Sequence, residues 1–340
     1  MLMNRTTPFM VPVDEENPAI IKDEALCSQC GHCFAICEEE IGVAAKYLLN
    51  PRETYQCIGC GQCSANCPEK AIIGMPHYKI VKELIKDPDK IVVFSTSPSV
   101  RVGFADGFGK EPGTFAQDEM VGALRALGAD YVFDVTFSAD LTIMEEAHEF
   151  LDRVKNKGVL PLMTSCSPGW VKYCEHYYPD QLDHLSSCKS PQQMFGAITK
   201  TYYAEKMNIA PEDIVCVSVM PCTAKKFEIQ REDQDAGGVP DVDISITTRE
   251  LARLIRKVGI NFRSLPDEGF DDPLGESTGA GVIFGATGGV MEAALRTAVE
   301  ELTGETLEKV EFTEVRGTEG IKEAVYNVAG MDVKVAVASG

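Results

Sequence analysis

Basic side chains are scarce in this 340-residue chain. Its 32 Lys and Arg stand against 52 Asp and Glu, for a net charge of −20. Such a surface repels a phosphate backbone, so nucleic acid is not an expected partner. Long apolar runs are also missing, and without about 18 consecutive apolar residues no membrane span is expected. The opening residues, MLMNRTTPFMVPVDEENPAI, lack a charged segment followed by an apolar one, so no signal peptide of the chain's own is expected. Disorder is excluded by 44% apolar residues. The length suggests about two domains.

Cysteine is plentiful, with 13 in all. A chain of this size needs no disulfide staples, and eight of the thirteen fall in two tight runs. That pattern favours metal ligation in a reducing compartment. Cys27-Ser-Gln-Cys30-Gly-His-Cys33-Phe-Ala-Ile-Cys37 recurs thirty residues later as Cys57-Ile-Gly-Cys60-Gly-Gln-Cys63-Ser-Ala-Asn-Cys67-Pro68. Each run reads C-x2-C-x2-C-x3-C, in which three thiolates hold one iron–sulfur cube and the fourth reaches the other. The expected sets are Cys27, Cys30, Cys33 and Cys67 for one 4Fe–4S cluster, and Cys57, Cys60, Cys63 and Cys37 for the second. Zinc is the alternative, but it asks for four ligands and not for an interlocked eight. Cys37 is followed by Glu38 where Cys67 has the usual proline. The module resembles a bacterial two-cluster ferredoxin, which passes single electrons.

From about residue 90 the pattern becomes alternating strands and helices. Strands are predicted at Ile91–Phe94, Tyr131–Phe137, Leu160–Thr164, Ile214–Met220, Val242–Thr247 and Val333–Ala338. Helices are predicted at 117–127, 140–156, 190–206, 248–258 and 288–303. Thr247-Thr248-Arg249-Glu250 has capping-box spacing. Such alternation implies α/β layers with mainly parallel strands and sites at their carboxyl ends. Two junctions each place a cysteine before a helix: Thr164-Ser-Cys166-Ser167-Pro-Gly-Trp170 and Met220-Pro-Cys222-Thr-Ala-Lys225-Lys-Phe-Glu228. Helix-end amides favour a thiolate there. Each cysteine can equally be read as a small buried apolar residue.

These two junctions resemble the first two signature loops of the iron-only (FeFe) hydrogenase large subunit. Supporting segments are Phe137–Glu146, Ser190–Phe195, Gly275–Gly279 and Phe284–Arg296. The resemblance implies a two-cluster ferredoxin-like domain over 1–85, then a two-lobed α/β H-cluster domain over 86–340, incomplete at its C-terminus. It implies reversible conversion of two protons and two electrons to H2, with electrons relayed through two 4Fe–4S clusters. In the family, the H-cluster is a 4Fe–4S cube joined to a two-iron unit carrying CO and cyanide. By the same resemblance, Cys166 relays a proton, and Glu146, Ser186, Glu149 and Arg153 continue the path to the surface. Cys222 is a cube ligand and Lys225 bonds a cyanide. Pro98, Ser99, Gln192, Met220 and Phe284 line the two-iron unit, although each of these also reads as ordinary packing or capping.

The resemblance has gaps. Ser167 stands where a second cube cysteine is expected, and a hydroxyl is a poorer iron ligand. The last two cube cysteines belong to a third loop that does not follow Val333–Gly340. Cys174, Cys188 and Cys216 are expected in the core. A further segment, or a partner chain supplying that loop, is one resolution of the gap. The other is a non-catalytic electron-transfer or H2-sensing relative without the H-cluster. A cluster-assembly factor on the same fold would leave the proton-path residues unexplained. The implied partner is ferredoxin or another one-electron carrier, with a small subunit as a further candidate. The implied compartment is the cytoplasm, or the periplasm if a partner subunit carries the signal.

Overall fold

The structure is a computed structural model and describes residues 10–49, 56–274, 277–305, 311, 313–315, 320–328 and 330–338. Near the N-terminus β1 (Ile20–Lys22) pairs antiparallel with β2 (Ile72–Gly74). The two strands bracket both cysteine runs in sequence. Short helices His32–Ala35 and Gln62–Asn66 carry the third cysteine of each run, Cys33 and Cys63, and each is entered through a left-handed glycine, Gly31 and Gly61. Only a residue without Cβ adopts that conformation without strain.

The large domain is built on four parallel strands in the order β4-β3-β5-β6. These are β3 (Ile91–Thr96), β4 (Tyr131–Asp134), β5 (Ile214–Met220) and β6 (Ile244–Thr247). Every residue of β5 is buried, as expected of a parallel strand covered on both faces. On one face Val92, Phe94, Val217, Val219 and Ile246 pack against helices Gln117–Leu127 and Thr248–Val258. On the other, Val93, Phe133, Cys216 and Met220 meet Phe137 and Phe195. From β3 the chain runs to β4 on one side, whereas β5 leads to β6 on the other. The carboxyl ends of β3 and β5 therefore border the crevice where the strand order reverses, the position at which such sheets build sites.

The capping box forms as the spacing predicts. Thr247 Oγ1 accepts from the Glu250 amide at 3.2 Å, and the Glu250 carboxylate accepts from the Thr247 amide at 2.9 Å. Helices 117–127 and 248–258 lie where expected.

Other elements differ. The strand expected over Tyr131–Phe137 stops at Asp134, whose carboxylate accepts the Thr136 amide at 3.1 Å; helix Thr136–Asn156 begins there, four residues before the predicted start. Leu160–Thr164 is not a strand. Met163 makes a single bridge to Leu185, and Pro161 has no N–H to extend it. The predicted 190–206 helix runs as Pro191–Ile198, a wider turn at Thr199–Tyr203, and Ala204–Met207. Among the described residues no second parallel lobe forms. Instead β7 (Thr313–Glu314), β8 (Ile321–Val328) and β9 (Met331–Ala338) make an antiparallel sheet, with Tyr326, Val333 and Val335 against Leu295 and Val299 of helix Gly289–Thr303. The expected Val333–Ala338 strand is thus present, but in a hairpin. Gly275 and Glu276 of the supporting segments lie outside the described residues. Among the described residues no helix is long and apolar enough to cross a membrane.

Candidate functional site

Two cavities are lined by cysteine. Cys27, Cys30, Cys33 and Cys67 surround one. Cys37, Cys57, Cys60 and Cys63 surround the other, walled by Val11, Val13, Ile20 and Val43. Each cavity therefore takes three cysteines from one run and the fourth from the other. Backbone amides aim at the sulfurs: Gln29 N donates to Cys27 Sγ and Gly59 N to Cys57 Sγ, both at 3.4 Å, and Val11 N to Cys33 Sγ at 3.3 Å.

Burial pushes the Cys60 thiol up to about 11, with the charges of Cys57, Cys37 and Cys222 adding to it. Burial, followed by neighbouring cysteines, also raises Cys63. Thiols so disfavoured as free thiolates carry their charge when a cationic centre compensates it. Among the described residues no three His, Cys, Asp or Glu side chains are arranged to hold a single metal ion. Two cages that each borrow a cysteine from the other run suit a pair of iron–sulfur cubes better than separate zinc sites. The residues present fit two 4Fe–4S clusters.

Cys222 lies in the loop after β5, and the loop's contacts place it between the second cage and the large domain. The Thr223 hydroxyl donates to the Gly59 carbonyl at 2.6 Å. Two residues on, Lys225 Nζ donates to the Cys166 carbonyl at 2.8 Å. Cys166, Cys222 and Lys225 are thus gathered by one loop, although Cys166 does not follow a strand as expected. Ser167 is exposed at the start of helix Pro168–Tyr177, and its side chain does not cap that helix.

Lys225 is held from behind by Glu228, with Nζ at 3.0 and 3.1 Å from the two carboxylate oxygens. Glu228 also accepts from Ser190 Oγ at 2.9 Å and Gln192 Nε2 at 2.8 Å. Gln192 Oε1 in turn accepts from Ser218 at 2.6 Å and Ser245 at 3.3 Å. These bonds fix which way the Gln192 amide faces.

The remaining expected residues separate into two groups. Met220 ends β5 and is buried; Pro98 and Ser99 follow β3, where Ser97 N bonds Val219 O at 3.1 Å, so all three border the crevice. Phe284 is half-buried at the end of helix Ala280–Ile283, which packs on the start of helix Thr136–Asn156. No hydrogen bond among the described residues ties Phe284 to Cys166 or Lys225.

Glu146, Glu149 and Arg153 share one side of helix Thr136–Asn156, as their spacing predicts. Ser186 Oγ donates to Glu149 Oε2 at 2.8 Å. Arg153 donates to Glu149 Oε1 through Nη2 at 2.7 Å and Nε at 3.1 Å. The Ser187 amide adds a bond at 3.0 Å. Burial alone would raise the Glu149 carboxyl, but the Ser186, Arg153 and Ser187 bonds together hold it below the usual range. Glu146 is the opposite case. It is 2% exposed, and Oε2 is buried without a hydrogen-bond partner. Burial pushes it up to about 7; Ser186 pulls it down and the Glu149 charge pushes it further up. Burial likewise raises the Cys166 thiol, with Lys225 acting against it and Glu146 and Glu228 adding to it.

Cys174 and Cys216 are in the core as expected. Cys188 is not; it is half-buried, with Sγ donating to Glu149 Oε2 at 3.5 Å, because the loop after Ser186 wraps the carboxylate. Glu228 and Thr223 were not identified from the sequence. Their signal was position alone, three residues after Lys225 and one after Cys222.

The profile described as "Iron only hydrogenase large subunit, C-terminal domain" matches residues 90–340. The NADP-reducing hydrogenase subunit HndD of Solidesulfovibrio fructosivorans is 49% identical over 98% of this chain and 52% of its own length. Iron hydrogenase 1 of Clostridium pasteurianum is 43% identical over 96% of this chain and 59% of its own. Among solved structures, a variant of apo FeFe-hydrogenase HydA1 from Chlamydomonas reinhardtii superposes with a TM-score of 0.66 at 44% identity, covering 75% of this chain and 65% of that one. The chain thus spans between half and two thirds of the length of these relatives. With the profile covering most of its length, the chain belongs to the iron-only hydrogenase large-subunit family.

Proposed function

We propose that this chain serves reversible hydrogen chemistry, 2 H⁺ + 2 e⁻ ⇌ H2, with residues 1–85 as a two-cluster electron relay and residues 86–340 as the catalytic domain. The observation that carries this reading is the Met220–Glu228 loop, which touches the second cysteine cage through Thr223 and the Cys166 junction through Lys225. Cys27, Cys30, Cys33 and Cys67 would hold one 4Fe–4S cluster, and Cys37, Cys57, Cys60 and Cys63 the other. Bound there, the clusters supply one-electron transfer from ferredoxin or a similar carrier.

Protons travel by residues that both accept and donate. Arg153 keeps Glu149 ionised near the surface, the Ser186 hydroxyl links Glu149 to Glu146, and Glu146 stands poised near neutrality beside the Cys166 thiol. The Ser186 hydroxyl, whose proton lies toward Glu149, turns to Glu146 for inward transfer; a proton taken up at Glu149 then passes to the Ser186 oxygen as the hydroxyl releases its own to Glu146. Glu146 then protonates the Cys166 sulfur as that thiol gives up its proton to the pocket.

The residues present do not make a full cage for the H-cluster cube. Cys222 is one thiolate, and Ser167 offers a hydroxyl in place of another. The remaining ligands have to come from outside these residues. Ser167 is also what favours the second reading, an electron-transfer or H2-sensing relative that holds only the two clusters.

H2 evolution from reduced viologen after cluster maturation separates the two, in a protein carrying Ser167→Cys and a thiolate-bearing loop joined after Gly340. Activity with CO and cyanide bands in the infrared is the expected result. About eight irons per chain, with none of those bands and no H2, would establish the second reading.

A further inference from the structure

The two cysteine cages have the same local loop but different surroundings. In each, the residue two after the first cysteine is left-handed, Gln29 at φ 58° and Gly59 at φ 72°, and its amide donates to that cysteine's sulfur at 3.4 Å. Gln29 is exposed. Gly59 is instead pinned to the large domain by the Thr223 hydroxyl at 2.6 Å from its carbonyl oxygen. The fit around Thr223 is close: a Cβ on Gly61 would lie 2.3 Å from Thr223 Oγ1, and one on Gly74 would lie 3.5 Å from its methyl.

The geometry points to Thr223 as a positioning residue that sets the reduction potential of the second cluster apart from that of the first. The carbonyl it bonds belongs to the peptide joining Gly59 to Cys60, whose sulfur lines the second cage. A carbonyl oxygen beside a cluster opposes the negative charge added on reduction. A hydroxyl proton shared with it draws off part of that negative charge. The same bond holds Gly59 so that its amide stays on Cys57 Sγ, and amide-to-sulfur bonds favour the reduced state. Both effects raise the potential of the second cluster, the one adjoining Cys222, and neither acts on the first. Electrons entering at the exposed Cys30 side are thereby drawn toward the large domain.

This inference rests on the cages holding 4Fe–4S clusters, so iron content is measured first in the full chain reconstituted with iron and sulfide. Thr223→Ala and Thr223→Ser differ by one hydroxyl. In an EPR-monitored redox titration, Thr223→Ala is expected to move one of the two midpoints to lower potential and leave the other in place. Thr223→Ser is expected to keep both. The proposal is overturned if both midpoints stay in place in Thr223→Ala, if both shift together, or if Ser behaves as Ala. Amide exchange over 57–62 reads the clamp independently of iron. It is expected to quicken about fivefold in Thr223→Ala and not in Thr223→Ser, the equivalent of one net hydrogen bond. Failure to bind about eight irons would overturn the cage reading and, with it, the potential. Unchanged exchange would overturn the clamp by itself.

Discussion

Replacing Glu146 with glutamine tests the electrostatics of the proton row most directly. Its carboxyl is 2% exposed and leaves Oε2 buried without a partner, and burial raises it from 4.5 to about 7. At about 1.4 kcal/mol per pH unit, that difference corresponds to about 3 kcal/mol. Because the folded value lies above the unfolded one, the folded chain holds the extra proton between them. The contribution of Glu146 to stability is therefore complete below about 4.5 and is lost as pH rises through 7. Glutamine mimics the protonated form at every pH. Relative to wild type, Glu146→Gln should gain up to about 3 kcal/mol between pH 5 and 8. The measurement is urea unfolding of the iron-free protein at several pH values, followed by the fluorescence of Trp170, the single tryptophan. The difference between the two proteins cancels the titration of other carboxylates. If the two stability curves run parallel from pH 5 to 8, Glu146 titrates like a solvated carboxylate and desolvation does not govern this site.

Other perturbations have equally definite outcomes. Lys226→Met removes a fully buried ammonium 2.8 Å from Glu250, and should cost about 3–5 kcal/mol in chemical unfolding because a buried charge is left behind; adding Glu250→Gln should recover part of it. Arg153→Ala strips Glu149 of two bonds and leaves the carbonyls of Val159, Asp183 and Leu185 without their donor, at about 2–3 kcal/mol. The same change should raise the Glu149 carboxyl, readable as a shifted carboxyl band in an infrared pH titration. Gly61→Ala meets both a left-handed φ of 75° and the Thr223 hydroxyl, so reconstitution should lose the second cluster before the first, seen as about half the iron. Cys30→Ser should likewise lose about four irons, but leave the second cluster's EPR signal intact.

Local rules recovered the parts of the molecule that local rules control. The capping box at Thr247 and Glu250 is written in four adjacent residues, and helices 117–127 and 248–258 carry their stripe and their terminal glycine within themselves. The grouping of eight cysteines around two cavities was legible because their spacing confines each set of three to one short loop. Leu160–Thr164 misled because an apolar run says nothing about whether a neighbouring strand is there to pair with it. The start of helix Thr136–Asn156 was hidden for a related reason: Val135-Thr136-Phe137 has strand-like composition, and the Asp134 carboxylate decides the matter by capping the Thr136 amide. Contacts between distant segments were the least visible. Nothing near Thr223 announces Gly59, and nothing near Glu149 announces that Cys188 will close over it.

The contacts that join the second cage to the sheet converge on a single stretch of nine residues. The Met220–Glu228 loop leaves the sheet at its switch point with Met220 buried in the core and Lys226 anchored to the Ser245 carbonyl at 2.8 Å and to Glu250. Between those anchors, Thr223 faces the second cage and Lys225 faces Cys166. A buried ammonium at one end of a short loop is an expensive way to fix a backbone unless its position matters to the hydrogen-bond length, since a hydrophobic anchor would serve stability as well. Shifting the loop by 1 Å would break the bonds to Gly59 and to the Cys166 carbonyl together. On this reasoning, Lys226→Met paired with Glu250→Gln, which keeps an acceptor for the Thr247 amide, recovers stability and still loses both contacts. Amide exchange at 57–62 as fast in this pair as in Lys226→Met alone, despite the recovered unfolding free energy, would show it, and exchange as slow as in the wild type would mean that Met220 and the sheet alone fix the loop.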